Sequence, residues 1–464
     1  MKQTLIKTAV ISIIILFNLP ASAQMECRSM LGAHLTPFKK DGGVLWAVEG
    51  TMAPGVMTSP YDSLGNAQLN GGMLLGALDF KLGNQKNHFY VEGGFKNWKN
   101  SALVDDNSSS KGNTRHLGVR QAFYSYAGKN TKIKLGLHET KLGDFFLIDE
   151  RVLGTSIDHS TGAFTFNFRA ATVLKNFARM GNFCANRHLY GVLNPNYTEN
   201  IGKHLGETNL TGIAINWNPH YKKPAEESAD TSSNDEFSSD DEFSNEDEFH
   251  EDHDFSNTPD NGDEFSDNSE SKTKSQTITL TNVGIIAYDE YGSIIANNKF
   301  YGGVLLDFNL PFNLFFQTGV VSQTMLHNNS VAYIARFGKT IIWDNTANTK
   351  ISGAFIGKYD LDENALFQPL FSNLFIGEVM RMDAVNFPLW QFAVKHRFPG
   401  KLKFHIATKF AGMLENGKTN EQDLEAGSII LKHHLKITLI GSRIETQLLP
   451  KTFYMGRLEM RLSF

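Results

Sequence analysis

The stretch that decides the fold is the last one, Phe453-Tyr454-Met455-Gly456-Arg457-Leu458-Glu459-Met460-Arg461-Leu462-Ser463-Phe464. An apolar set of residues occupies alternate positions: Tyr454, Gly456, Leu458, Met460, Leu462 and Phe464. A polar set lies between them: Arg457, Glu459, Arg461 and Ser463. Successive side chains of a β-strand point to opposite faces of the sheet. The stretch therefore predicts a strand with one apolar face and one charged face.

This strand resembles the C-terminal strand of Gram-negative outer-membrane β-barrels, in which a terminal aromatic residue is read by the barrel-assembly machinery. The resemblance implies a transmembrane barrel whose apolar face contacts outer-membrane lipid and whose charged face lines a lumen. It also implies that the assembly machinery is a partner of the chain. The assembly signal would consist of Phe464, Leu462, Met460, Leu458 and Tyr454.

The N-terminus has the pattern of a cleaved secretory signal peptide. Lys2 and Lys7 precede an apolar run over residues 9–17, and small residues follow at Ala21-Ser22-Ala23. This order predicts a signal peptide over residues 1–23 and a mature barrel over residues 24–464. The apolar run is too short to span a bilayer as a helix, and no later stretch approaches the roughly 18 apolar residues that a spanning helix needs. We therefore expect an exported protein that is periplasmic, secreted or a β-barrel of the outer membrane.

The composition agrees with a barrel. The chain has 35 Phe and 40 Gly, yet its mean hydropathy is only −0.27. Alternating strands hide their apolar residues in this way, because half of each strand is polar. Cys27 and Cys184 are the two cysteines, and two cysteines cannot form a disulfide framework. Whether they pair is left open.

The two-residue period recurs along the chain. Phe164, Phe166 and Phe168 alternate with polar residues, and Leu117, Val119 and Phe123 follow the same parity. Short connectors with turn chemistry, such as Gly128-Lys129-Asn130, separate these segments from longer polar connectors. The pattern predicts an all-β, antiparallel, up-and-down transmembrane barrel of about eighteen strands, with sixteen as the alternative.

One segment differs from the rest of the chain. Residues 224–275 carry repeated Asp-Glu-Phe triplets that begin at Asp235, Asp241, Asp247 and Asp263. Residues 226–270 contain nineteen acidic residues and no Lys or Arg, which predicts a disordered acidic insert within the barrel. Without those acids the chain has 44 basic and 30 acidic residues, so a net charge of −5 conceals a basic barrel. Cations or a periplasmic partner could bind the insert.

Strand parity places many cations on the inward face. The predicted pore-lining residues are Arg120, Lys134, Arg169, Arg336, Lys395, Arg397, Lys403, Lys409, Arg443, Arg457 and Arg461. The acids expected on the same face are fewer: Glu92, Asp307, Glu445 and Glu459. Arg and Lys rings favour anions in a pore. The alternative is that inward-folded loops neutralise these charges.

Two connectors are candidates for an inward fold. The stretch from Gly136 to Gly154 resembles a strand-loop of the alginate-export and phosphate-selective porin group, which implies that Asp149, Glu150 and Arg151 lie near a constriction. An ordinary solvated loop is the alternative. The second connector, residues 366–390, is rich in Phe and is expected to fold inward or to rest at the membrane interface. A pair of further strands would explain it equally well.

No motif for catalysis, a cofactor, a metal or nucleic acid is evident. The sequence lacks a Gly-x-Ser-x-Gly turn, and His250-Glu251-Asp252-His253 has the wrong spacing for a zinc helix. We therefore predict a non-enzymatic, porin-like outer-membrane channel for passive diffusion of small, anionic solutes. One alternative is a barrel-anchored surface, assembly or adhesion protein that binds through the insert or the long loops. Another is a polyanion exporter.

Overall fold

A computed structural model describes residues 39–41, 44–52, 54–58, 67–82, 86–100, 113–143, 147–173, 208–221, 278–292, 298–325, 328–343, 347–360, 367, 388–400, 402–414, 419–430, 435–447 and 450–463. These residues form twenty strands and one short 3-10 turn at Pro311–Asn313. The strands are β1 Lys39–Asp41, β2 Val44–Met52, β3 Gly55–Met57, β4 Ala67–Leu82, β5 Asn87–Asn100, β6 Asn113–Ala127, β7 Thr131–Leu142, β8 Ile148–Thr161, β9 Phe164–Val173, β10 Thr208–Trp217, β11 Thr279–Gly292, β12 Lys299–Leu310, β13 Leu314–Met325, β14 Asn328–Ile342, β15 Asn348–Asp360, β16 Leu389–Arg397, β17 His405–Met413, β18 Asn420–Ile430, β19 Leu435–Glu445 and β20 Phe453–Ser463. In the described part of the chain, no helix is long and apolar enough to cross a membrane.

The strands close into a barrel. Each strand from β4 to β19 pairs antiparallel with the next, and β20 also pairs with both β2 and β3. β2 and β3 both pair with β4, so they form one wall strand that is interrupted near Pro54. The wall therefore has eighteen strands, which confirms the prediction of an eighteen-stranded barrel over the alternative of sixteen. The short β1 pairs only with β2 among the described residues.

Side-chain exposure separates the two faces of the wall. Large apolar side chains are exposed on alternate positions of neighbouring strands, as at Leu424 (59%), Leu439 (57%) and Ile285 (54%). Residues of the opposite parity are buried, and many are charged, including Arg457 and Arg336. Polar groups inside and apolar groups outside is the arrangement of a transmembrane barrel, because only the outer surface contacts hydrocarbon.

The two rims differ in the length of their connections. Tight turns join β6 to β7, β8 to β9 and β12 to β13, and at Gly162 the backbone takes a φ of +56° in one of them. Exposed aromatic side chains lie at this short-turn rim, such as Phe312 (69%) and Trp343 (65%), which is where a membrane interface attracts aromatic rings. The connection from β10 to β11 leaves from the same rim. The predicted acidic insert belongs to that connection and lies outside the described residues, as do Cys27, Cys184 and the signal peptide.

A pair of equally exposed leucines tests the membrane-facing surface. Leu439 lies in the middle of β19, and Leu402 lies in the turn between β16 and β17, each with 57% exposure. We expect Leu439→Arg to destabilise the barrel by about 2–4 kcal/mol, whereas Leu402→Arg should cost about 0–1 kcal/mol, because the cost of a charge depends on membrane depth. Urea unfolding of both variants in lipid vesicles measures this difference. Equal losses would mean that lipid does not surround β19.

Candidate functional site

The end of the β7–β8 hairpin leaves the barrel wall. Its two strands stay paired with each other from Thr131 to Leu142. Among the described residues, however, the ladder between β7 and β6 stops at Leu137, and the ladder between β8 and β9 stops at Leu153. The hairpin end, residues 138–152, is therefore not part of the described wall. We call this segment the inner hairpin.

The tip of the inner hairpin contacts the wall strands β10 and β11. A Cβ atom placed on Gly143 would lie 3.2 Å from Cδ1 of Ile286, and one placed on Gly212 would clash with Cδ2 of Leu142. The guanidinium of Arg169 on β9 donates a hydrogen bond to the Lys141 carbonyl at 3.2 Å. The hairpin tip is thus held inside the barrel by one apolar contact region and one charge-assisted hydrogen bond.

Two glycines lie opposite each other where the inner hairpin begins. Gly136 on β7 and Gly154 on β8 are register partners. Gly136 has a φ of +123°, which disfavours other residue types. A Cβ on Gly154 would clash with Ala171 of β9. Glycine at both positions therefore lets the hairpin bend away from the wall while keeping its own ladder.

The predicted constriction residues are located on this hairpin. Asp149, Glu150 and Arg151 belong to β8, and their backbones pair with residues 139–141 of β7. The Arg151 side chain is buried, at 3% exposure; the side chains of the other two are not described. Their part in a constriction stays a prediction.

A second segment enters the barrel at Phe367. This residue follows β15 and is only 1% exposed. Its ring contacts Tyr301 edge-on, with 5.7 Å between centroids, and Tyr301 stacks on Tyr288 at 5.3 Å. Both tyrosine hydroxyls donate to the buried carboxylate of Glu290, at 2.9 and 3.4 Å. The remaining residues of this apolar connector, up to residue 387, lie outside the described residues.

Most of the predicted pore-lining residues lie on the inward parity of their strands. The nine that do are Arg120, Lys134, Arg169, Arg336, Lys395, Arg397, Lys409, Arg457 and Arg461. Lys403 lies in the turn before β17, with a φ of +42°, and so belongs to the short-turn rim. Lining of an open pore by these residues stays a prediction.

The expected inward position of Arg443 is wrong. Its register partners Gln422 and Tyr454 are both exposed, and Arg443 pairs with the exposed Glu445 at 2.8 Å. Both charges are near the long-loop end of β19, beyond the apolar Leu439. Charged side chains are tolerated on the outer face there because lipid no longer covers it.

The interior has more charged residues than parity indicated. Additional inward acids are Glu49, Asp79, Asp158, Glu290, Glu421, Asp423 and Glu425. Additional inward cations are Lys299, Lys350, Lys358 and Lys436. A usable signal was present in some strands, since Asp423 alternates with the exposed Leu424. The interior is therefore of mixed charge. Inward acids stay fewer than inward cations among these residues, but they outnumber the acids that were expected, and Glu445, which was expected inward, is exposed on the outer face.

Two β-bulges, which alternation along the strands does not predict, interrupt the register. In β6, the register moves from Gln121 opposite Glu92 to Val119 opposite Gly93, so Arg120 is an extra residue. Both Arg120 and Gln121 are consequently buried beside Glu92, at 2.5 and 3.4 Å from its carboxylate. In β11 the extra residue is Thr281. A bulge changes the parity of everything beyond it, which is why Phe123 packs inward against Tyr90 at 5.2 Å.

Comparison with protein-family models and with curated protein sequences finds no match. Solved structures do match. A BenF-like porin from Pseudomonas fluorescens Pf-5 has a TM-score of 0.53 and 10% identity, covering 91% of this chain and 99% of the porin. Two Pseudomonas aeruginosa proteins, OccK9 (OpdG) and OpdQ, each have a TM-score of 0.47, with 10% and 11% identity. The match to OccK9 covers 91% of this chain and 98% of OccK9, and the match to OpdQ covers 90% of this chain and 98% of OpdQ.

The fold is that of a porin-like outer-membrane β-barrel. At 10% identity the likeness extends to the barrel and its closure, not to the solute. What the barrel interior can do must be argued from its own residues. Within the described residues, no group of three His, Cys, Asp or Glu side chains is placed to hold a metal ion.

Truncating a buried acid should show how far the barrel depends on its interior ion pairs. Glu92 is fully buried and accepts hydrogen bonds from Arg120 and from the Tyr90 hydroxyl, the latter at 2.7 Å. We expect Glu92→Ala to lower the free energy of unfolding by about 3–5 kcal/mol, because it leaves a buried guanidinium without its carboxylate.

The matched control is Glu445→Ala, which removes the exposed partner of Arg443 and should cost less than about 1 kcal/mol. Unfolding in urea, followed by tryptophan fluorescence, measures both variants. Similar midpoints for the two would contradict a stabilising role for the Glu92 cluster.

Proposed function

We propose that the protein is an outer-membrane channel for passive diffusion of small polar solutes. The observation that supports this function best is a closed wall with an apolar exterior and a charged interior, into which the inner hairpin folds. An apolar exterior requires lipid, and a barrel of eighteen strands has room for an aqueous lumen. The short-turn rim, from which the acidic insert leaves, would face the periplasm.

The inner hairpin would set the width of the channel. Its tip contacts β10 and β11 instead of continuing the wall, so it removes cross-section from the lumen on that side. Phe367 does the same beside β11 and β12. Both segments approach the same stretch of β11, at Ile286 and Tyr288. A solute would therefore pass between them and the opposite wall, and its selection would depend on size and on polar contacts with the wall.

A preference for anions would arise from a cluster of cations near the short-turn rim. Lys350 on β15 is the direct register partner of Lys395 on β16, and Arg397 lies two residues further along the same strand. Like charges on neighbouring strands raise the local potential for anions. The nearby acid Glu425 is two strands from Lys395, through Ala407. The cluster thus keeps a positive excess even in an interior of mixed charge.

The acidic insert would be an accessory to this channel. It lies in the connection from β10 to β11 and supplies none of the eighteen wall strands, so we expect solute passage not to require it. Binding of cations or of a periplasmic partner to residues 226–270 stays a prediction.

Shortening the inner hairpin should widen the channel. Thr140 and Glu150 are register partners, so replacing residues 141–149 by Asn-Gly leaves a hairpin with a favourable two-residue turn. We expect purified wild-type protein to conduct in planar bilayers in KCl, and the shortened variant to have a larger single-channel conductance, because the tip no longer occupies the lumen.

Deletion of residues 226–270 is the control and should leave the conductance unchanged. A folded barrel that never conducts would contradict the proposed channel. Equal conductance of the wild-type and shortened proteins would instead show that the hairpin does not limit passage.

Reversing two interior charges should change ion selectivity. We expect Lys350→Glu together with Lys395→Glu to move the reversal potential in a KCl gradient toward that of potassium, because the cation cluster becomes net negative. Lys339→Glu is the matched control, since Lys339 lies on the outer parity of β14 with its Nζ over the Phe312 ring at 6.0 Å. An unchanged reversal potential in the double variant would remove the cluster from the ion path.

A further inference from the structure

A cavity of about 430 Å³ lies between the inner hairpin and the wall. The hairpin contributes Lys141, Leu142 and Gly143 to one side. Strands β9 to β13 form the other side. Their polar residues include a row of four side-chain amides and one carboxylate, which we call the amide row. A concave site with a few convergent polar groups is the usual form of a small-molecule site. We call this space the hairpin cavity.

The row consists of one residue from each of five consecutive strands. In chain order these are Asn167, Asn216, Asn282, Asp307 and Gln317. Hydrogen bonds join them: Asn216 Nδ2 donates to Asn167 Oδ1 at 2.9 Å, Asn282 Nδ2 donates to Asp307 Oδ2 at 3.0 Å, and Gln317 Nε2 donates to Asp307 Oδ1 at 2.6 Å. These bonds fix the orientation of each amide, so the row presents a pre-arranged set of donors and acceptors to the cavity.

Local backbone features create this row. The bulge at Thr281 turns both Thr281 and Asn282 toward the cavity. Gly284 on β11 is the register partner of Asn216 on β10 and has no side chain. A Cβ on Gly284 would lie 2.9 Å from Asn216 Oδ1. Bulges that redirect side chains are over-represented near functional sites. The wall is thus shaped to leave space around the amides.

The amides keep hydrogen-bonding capacity for a ligand. A side-chain amide has two N–H donors and two acceptor lone pairs. Among the described residues, Asn216 uses one donor, toward Asn167, and one lone pair, for Asn282 at 3.5 Å. Half of its capacity is therefore available to a solute in the cavity, as both a donor and an acceptor.

The two cations beside the row already have carboxylate partners, and both oxygens of the Asp307 carboxylate already accept hydrogen bonds. Arg169 pairs with Asp158 at 2.7 Å and donates to the carbonyls of Lys141, Ile157 and Phe168. Asp307 accepts from two amides, and Lys141 lies 3.6 Å from the Glu139 carboxylate. An anionic ligand would lose hydration here and meet only cations that already have carboxylate partners, which is costly. A cationic ligand would have to displace the two amides that donate to Asp307.

An apolar patch adjoins the row. Ala214 and Ile286 are direct register partners, and Leu305 is on the next strand. All three line the cavity, with Leu142 of the hairpin as the fourth apolar member. A ligand that fits must therefore combine an apolar surface with an edge of neutral donors and acceptors.

We propose that the hairpin cavity binds neutral polyhydroxylated solutes, of the size of a mono- or disaccharide, as they pass through the barrel. A pyranose ring has C–H groups on its faces for the apolar patch, and hydroxyls on its edge that both donate and accept hydrogen bonds with the amide row. The inference rests on the proposed channel and names its solute class. It differs from an anion preference, which would reside at the cation cluster near the rim.

Three sugars of equal ring size but different charge test the proposal. D-glucose, D-glucuronate and D-glucosamine are added in turn to single channels conducting in KCl, and the sugar concentration that halves the open-channel current is measured. We expect D-glucose to interrupt the current at the lowest concentration. D-glucuronate or D-glucosamine acting at an equal or lower concentration would overturn the proposal.

Variants connect the effect to the amide row. Asn216→Leu together with Asn282→Leu keeps side-chain size but removes two hydrogen-bonding groups. We expect roughly two- to tenfold weaker binding per amide, from the net contribution of a hydrogen bond. Gln391→Leu is the control, since Gln391 is an interior amide on β16 and does not line the cavity. An unchanged D-glucose effect in the double variant would refute the site.

Failure of the channel and failure of the site can be told apart. A protein that does not conduct KCl contradicts the proposed function. Binding of D-glucose is then measured by saturation-transfer NMR on the folded, detergent-solubilised protein, which needs no current. A barrel that conducts but shows no saturation transfer to D-glucose contradicts the sugar site alone.

Discussion

Closure of the sheet is the constraint on which the rest of the structure depends. Inside a bilayer no water can satisfy a backbone N–H or C=O group, so every wall strand needs a neighbour on both sides. The first wall strand contains Pro54, which lacks an N–H donor, yet its carbonyl accepts from Leu458 N at 2.9 Å. β1 pairs with β2 over residues 44–46, beyond the point where β20 ends. The seam therefore stays paired although its first strand is interrupted.

A closed wall makes the interior a place where charge must be balanced locally. Glu92 and Asp307 illustrate this in the same way, since each lies opposite a β-bulge in the neighbouring strand. Each bulge turns two successive polar residues toward the acid. Arg120 and Gln121 both donate to the Glu92 carboxylate, whereas Asn282 donates to the Asp307 carboxylate and the Thr281 hydroxyl donates to the Asp307 backbone carbonyl. Each bulge interrupts the backbone pairing locally, but it supplies hydrogen bonds to a buried acid. Leaving that acid buried without partners would cost far more.

Alternation along the strands predicts some features of this barrel and misses others. Strand number and the faces of β20 follow from alternation, because Arg457 and Glu459 are buried where Tyr454 is exposed. Bulges cannot be read from alternation, since one inserted residue reverses parity without any change in composition. Arg443 was misplaced for a different reason. Arg443 shares the outer parity of Leu439, and the outer face can also carry charge once a strand passes the lipid.

The inner hairpin was recognisable only as a candidate, because its departure from the wall depends on contacts far away in sequence. Gly136 and Gly154 permit the bend, but the tip packs on Gly212 and Ile286, which belong to an apolar patch of the inner wall with Ala214.

The contact of the hairpin tip with Gly212 and Ile286 bears on the selectivity of the proposed channel. The tip forms one side of the hairpin cavity. In the proposed channel its position would therefore set both the width of the lumen and the contacts that a solute meets. Movement of the tip would change the two together, since Arg169 ties Lys141 to the wall beside the amide row. In the proposed channel, size exclusion and hydrogen-bond selection would thus depend on one structural element.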